Sequence, residues 1–245
     1  GHTWQIIVGS GHSPEHACLY CAHHKILISG DQVLPIITSN VSVHPTEPNA
    51  NPLKNWMESH DHFLEVIPED TFVLPAHNLP FFGVKPRLRD LINHHEDRML
   101  AIEEACVEPQ IAKDLLPVLF ARKLDSRQMM MALGEAIAHV HLLMHRNRLQ
   151  RVASDDGVFR YRSVDPTLSR RAHPNDHVAP DEQPAYLSAA RDNKLTPCQS
   201  IHQACSVGPR RFHIVSWYGQ KQSCRRAFVA SLEYSSWLAV CLASY

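Results

Sequence analysis

The chain has 245 residues, enough for one large domain or two small ones with a real core. With 44% hydrophobic and 20% charged residues it is not a disordered chain, and a net charge of -1 excludes an overall polybasic nucleic-acid or membrane binder. No apolar run reaches the roughly 18 residues of a membrane span, and seven cysteines, an odd number, do not read as a disulfide framework. The opening Gly1-His2-Thr3-Trp4 does not read as a signal peptide, so a reducing cytoplasm is the expected location. Histidine stands out. There are 18, and 11 of them fall in the first 100 residues, which puts metal chemistry first among the candidates.

In chain order, Gln5-Ile6-Ile7-Val8 predicts a short strand ending in Gly9-Ser10-Gly11. Ala17 to Tyr20 and Lys25 to Ser29 predict two more, joined tightly through His23 and His24, an expected exposed turn. A Pro- and Asn-rich loop at 44–52 precedes a helix from Pro52 to Val66, and Thr71 to Leu74 predicts a strand halted at Pro75. Val84 to Ala105 predicts a long amphipathic helix with Leu88, Leu91, Ile92, His95, Met99 and Ile102 on one face. Of His94 and His95, one is expected half-buried and the other solvated.

Helices are expected at about 110–120 and 126–149, the second with Met130, Leu133, Ile137, Val140 and Met144 on one stripe. Strands Arg148–Val152 and Val158–Arg162 around Asp155-Asp156-Gly157 predict a hairpin, so the order is winged-helix-like. Residues 164–245 show no sustained periodicity and are expected to be a tail of uncertain order. The whole reads as α/β or α+β, with α/β preferred.

Three residues carry the sharpest chemistry. His12, Asp31 and His77 each follow a predicted strand, and the ends of adjacent strands converge on one edge of a sheet. Two imidazoles and a carboxylate suit Zn, with Fe or Mn as alternatives. Cys18 and Cys21 have CxxC spacing, but strand alternation points them to opposite faces, so they read as structural. His139, His141 and His145 read as a packed or solvated helix face.

Gly11-His12-Ser13-Pro14-Glu15-His16, Ser29-Gly30-Asp31 and Leu74-Pro75-Ala76-His77 together resemble the second half of a metallo-β-lactamase-fold hydrolase. Ile28 to Pro35, Asn40 to Val43 and Ala132 to Glu135 ahead of Ala138-His139 are similar to its bacterial branch near the hydroxyacylglutathione hydrolases, whose members end in a winged-helix-like segment. The resemblance covers about residues 1–163. It implies a partial αββα sandwich over 1–105, a winged-helix-like segment over 106–163, and two divalent metal ions, most naturally Zn. By motif position His12 ligates the first ion, Asp31 bridges both as the catalytic carboxylate, His77 ligates the second, and His16 stands behind them or packs. A metal-bound hydroxide would attack a thioester or related acyl bond of a small-molecule substrate.

The superfamily's His-x-His-x-Asp-His string, source of four further ligands, does not occur in these residues; Ser59-His60-Asp61-His62 is only an echo of it, in a predicted helix. The chain therefore reads as a C-terminal half, expected to be inactive alone, with unpaired strand edges and an apolar face that favour self-association. The alternative is a catalytically dead remnant serving as an interaction module. Residues 109–162 have a net charge of only +4, so nucleic acid is not an expected partner, and neither is a membrane.

Overall fold

The computed structural model describes residues 1–165, Thr167 and the backbone of Ile214–Val215. Apart from Thr167 and Ile214–Val215, the expectation for the tail beyond 165 lies outside the described residues. Strands β1 (Trp4–Gly9), β2 (His16–Cys21) and β3 (Ile26–Gly30) form an antiparallel meander. Helix α1 (Pro52–Val66) lies in the crossover from β3 to β4 (Phe72–Pro75), which pairs parallel to β3. Then come α2 (Val84–Ala105), a 3-10 turn (Ala112–Leu115) running into α3 (Leu116–Leu119), and α4 (Ser126–His145). Strands β5 (Leu149–Val152) and β6 (Arg160–Ser163) form a separate antiparallel hairpin, and β7 (Ile214–Val215) pairs parallel to β1. The larger sheet runs β4-β3-β2-β1-β7.

Local chemistry accounts for these elements. Pro52 opens α1 at a position where its missing N–H is harmless, and the Asn51 side chain accepts from Lys54 N–H. Leu53, Trp56, Met57, His60 and Phe63 recur at helical spacing and form its buried face. They share one core with Ile7, Cys18, Tyr20, Leu27 and Val73, residues that the strand register places on one sheet face. The opposite face carries a second aliphatic row, Ile6, Leu19, Ile28 and Leu74, adjacent in register and half-exposed. Both CxxC cysteines are buried, and burial pushes the Cys18 thiol up to about 12. That is the structural role expected of it.

Several expectations give way. The helix expected over 110–120 is only the 3-10 turn and the four residues of α3; Pro117, which has no N–H to donate, falls inside this short stretch. Helix α4 stops at His145 because Asn147 turns left-handed (φ 57) and Arg148 N–H bonds back to Leu143 C=O. Its predicted stripe holds only in part: Val140 is buried and Ile137 and Met144 pack against the core. Met130 is 70% exposed, whereas Ala132, Gly134, Glu135, Ala136, Ala138, His139, Val140 and His141 are buried. The middle of α4 is buried nearly all round, so it shows no single stripe. His94 is half-buried and His95 fully buried, so neither is solvated.

Near the hairpin, Glu103 is only 4% exposed and is held by Arg148, whose Nε donates to Oε2 at 2.7 Å while Nη2 makes a second contact with the same oxygen. Removing the guanidinium would strand a buried carboxylate. Arg148→Ala is expected to cost about 2 kcal/mol, read as a lower urea midpoint, with Arg148→Lys recovering part of it. An unchanged midpoint would show that this pair contributes nothing.

Candidate metal centre

The three sequence-nominated residues converge. His12 follows β1 by way of Gly11, whose φ of +101° suits glycine. A Cβ there would lie 2.4 Å from Trp56 Cβ and 2.6 Å from the Pro52 carbonyl oxygen, so only glycine lets this turn seat on α1. Asp31 follows β3 by way of Gly30, also left-handed, where a Cβ would meet His16 Nε2 at 2.3 Å. His77 follows β4, and Ala76 N–H donates to Gly30 C=O at 3.0 Å, tying the two turns together.

His12 Nε2 lies 3.7 Å from Asp31 Oδ2, and His77 Nε2 lies 3.2 Å from Asp31 Oδ1. The two imidazoles thus address opposite oxygens of one carboxylate. They do not close with Asp31 into a group whose ligand atoms all lie within 4.8 Å. Oδ1 is sealed from solvent, yet no donor among the described residues hydrogen-bonds to it. A buried carboxylate oxygen lacking a donor calls for a cation.

His12 is oriented by its other nitrogen. Its Nδ1 lies 2.8 Å from Asn40 C=O, and a carbonyl can only accept, so the proton sits on Nδ1 and the Nε2 lone pair is free. Asn40 is in turn fixed from both sides: its Nδ2 donates to Glu135 Oε2 at 3.1 Å, and its Oδ1 accepts from Ser42 Oγ at 2.7 Å. Gly134 lets α4 approach this loop, since a Cβ there would lie 2.9 Å from Ser42 Cβ; Val43 N–H donates to Gly134 C=O. The sequence placed Asn40 and Glu135 in resembling stretches without showing that they meet. No local pattern reports a contact across 95 residues.

His16 packs its ring over Gly30, with its centroid 6.0 Å from that of His12. Burial and then the nearby His12 lower its pKa, while Asp31 acts in the opposite sense, so it stands neutral beside the trio. The echo His60 faces the interior instead. It is fully buried, and burial pushes it down to about 3. Nearby, His139 Nδ1 donates to Glu135 C=O at 2.8 Å, so its Nε2 accepts from His95 Nδ1 at 3.0 Å.

The loop leading from Asp31 to Asn40 is clamped from α2. Arg87 Nε donates to Leu34 C=O at 2.7 Å and Nη2 to Ile37 C=O at 2.9 Å, leaving the Ile36 and Ile37 side chains exposed.

Residues 99–164 match the family model described as metallo-beta-lactamase-like, C-terminal domain. The chain is also similar to two solved structures of that fold. One, a beta-lactamase domain protein from Burkholderia ambifaria, is 45% identical with a TM-score of 0.64, over 66% of this chain and 48% of that one. The other, a metallo-beta-lactamase family protein from Thermus thermophilus, is 25% identical with a TM-score of 0.56, over 65% and 49%. The chain therefore spans about half the length of each. No curated protein sequence matches it.

Proposed function

We propose that this chain is the C-terminal half of a metal-dependent hydrolase of the metallo-β-lactamase superfamily, with His12, Asp31 and His77 as metal ligands. One observation carries the reading: an Asp31 carboxylate whose Oδ1 is sealed and lacks a hydrogen-bond partner among the described residues, met on opposite oxygens by two histidines at strand ends. A carboxylate placed in this way would be able to hold one divalent ion on each oxygen. Proteins of this family generally bind divalent metals. The donor set suits Zn, with Fe or Mn as alternatives. Three residues alone do not fill two coordination shells, so the remaining donors come from elsewhere.

Divalent ions there would polarise an acyl carbonyl and acidify water for attack on a thioester or related ester. The chain's own residues set the stage for that. Asn40 C=O holds the His12 proton on Nδ1, Asp31 offers one oxygen to each side, and His16 packs its uncharged ring against the Asp31 turn. Carboxylate rather than thiol at position 31 supports the hydroxyacylglutathione-hydrolase side of the superfamily. The order α3, α4, β5, β6 supports a winged-helix-like segment over 106–163.

That segment is not proposed to read nucleic acid. Arg146 pairs with Glu96, Arg148 with Glu103 and Arg160 with Asp156, so three of the arginines at and beside the hairpin are neutralised within the protein. No helix among the described residues is long and apolar enough to cross a membrane. A cytoplasmic location and self-association through the half-exposed sheet face belong to the same proposal.

The test is metal content by elemental mass spectrometry after dialysis against a weak chelator, for the wild-type chain and for Asp31→Ala. The expected result is at least one ion more per wild-type chain than per variant, and thioester hydrolysis only when the remaining donors are supplied. Equal metal content in the two would overturn the ligand assignment. Full ligation without turnover of any thioester or lactone would favour the interaction-module alternative.

A further inference from the structure

We propose a second metal site, formed by His2, His23 and His24, at the end of the sheet opposite the candidate hydrolytic centre. In the β1–β2 register Gln5 faces Tyr20. Continued three residues outward, that register sets His2 opposite His23. The β2–β3 connection is a tight turn over Ala22–Lys25, closed by Lys25 N–H to Ala22 C=O and by a left-handed Lys25 (φ 53). Its two central residues are His23 and His24.

All three rings meet there. The centroids of His2 and His23 are 4.8 Å apart and stacked, those of His2 and His24 are 4.2 Å apart, and those of His23 and His24 are 4.7 Å apart. Each offers a ring nitrogen, and the three nitrogens lie within 4.8 Å of one another. It is the one group of three or more candidate ligands that close among the described residues. Tetrahedral ligand nitrogens around a metal at about 2.0–2.1 Å sit closer than this, so small rotations of surface rings complete the contraction.

The neighbouring basic charge is neutralised. Lys25, the nearest basic side chain in sequence, is drawn away into an ion pair with Asp70, and its C=O accepts from Phe72 N–H. Three imidazoles with no carboxylate and no thiolate select borderline transition metals (Zn, Ni, Co or Cu) over Mg or Ca. His23 is exposed, so a fourth position would open to water. The length of β1, roughly 20 Å for six residues, separates this cluster from His12.

Calorimetric titration with Zn2+, and visible absorption with Co2+, tests the site in an Asp31→Ala background, where the other centre is disabled. The expected result is one ion per chain and the intense absorption of low-coordinate Co2+. Adding His24→Ala should weaken binding by roughly tenfold or more, whereas adding His62→Ala, an exposed histidine on α1, should leave it unchanged. Absence of saturable binding in the Asp31→Ala chain, or binding that survives His24→Ala, overturns the proposal. Metal lost only on Asp31→Ala would speak to the hydrolytic centre and leave this cluster rejected.

Discussion

Between pH 7 and pH 4.5 the metal-free chain is expected to lose about 5 kcal/mol of stability. The cause is the buried histidines. Burial holds His139 down to about 4 and His60 down to about 3, and it lowers His95 well below its ordinary value. Neighbouring Arg98 and His94 push His139 the same way, and Arg87 does so for His60, whereas the backbone carbonyls of Glu135 and Trp56 that accept from the rings partly resist. In the unfolded chain all three titrate near 6.5. Below that value the unfolded state takes up protons that the native state refuses, so stability falls as pH falls. Each histidine contributes about 1.4 kcal/mol per pH unit until its native pKa is reached. Two such groups over two units give the stated figure, and His95 adds to it. Glu135, whose pKa is raised by burial, acts in the opposite sense over its own narrow range. Against a typical total of about 5–15 kcal/mol, this is enough to unfold the protein in mild acid. Urea midpoints at half-unit steps of pH would show the fall, and His139→Gln should make it shallower. A flat profile would mean that these rings are hydrated.

Trp56→Ala is expected to cost about 4 kcal/mol, the upper range for deleting a buried aromatic side chain. Trp56 is fully buried, donates from Nε1 to Ser39 Oγ at 3.1 Å, and stacks on His60 with ring centroids 3.5 Å apart. It also meets His95 edge-on at 4.7 Å, and its Cβ forms the floor under Gly11. Its loss would leave a cavity, an unpaired hydroxyl at Ser39 and water beside His60. The same variant should therefore have a lower urea midpoint at pH 7 and a weaker dependence on pH below it. Trp56→Phe should keep most of the packing and lose mainly the hydrogen bond. A cost under about 1 kcal/mol for the alanine would show that α1 can collapse to fill the gap.

Period and punctuation made much of the fold legible. Both α1 and α2 occur with the bounds that their apolar spacing predicts, and β1 to β4 fall within a residue or so of the expected strands. His12, Asp31 and His77 were readable because a strand followed by a turn delivers its next residue to a known edge of the sheet. Burial on two sides left the reading of α4 only partly right, because a helix enclosed by neighbours shows no single stripe. Of His94 and His95, one is half-buried as expected, but the other is not solvated, because His95 packs against Trp56 and bonds to His139 across the core. The Asn40–Glu135 link and the His2–His23–His24 cluster depend on tertiary approach and strand register. Neither leaves a mark within a local window of sequence.

The parallel pairing of β3 with β4 also bears on the order of events during folding. Antiparallel β1, β2 and β3 are joined by short turns and can pair quickly, but β4 must wait for the crossover of residues 31–71, with α1 inside it, to close. Gly30 C=O then receives Ala76 N–H, and only after that step do Asp31 and His77 face each other. Capture of an ion between them would therefore be a late kinetic event. A stopped-flow signal from metal uptake should lag the signal from burial of the meander.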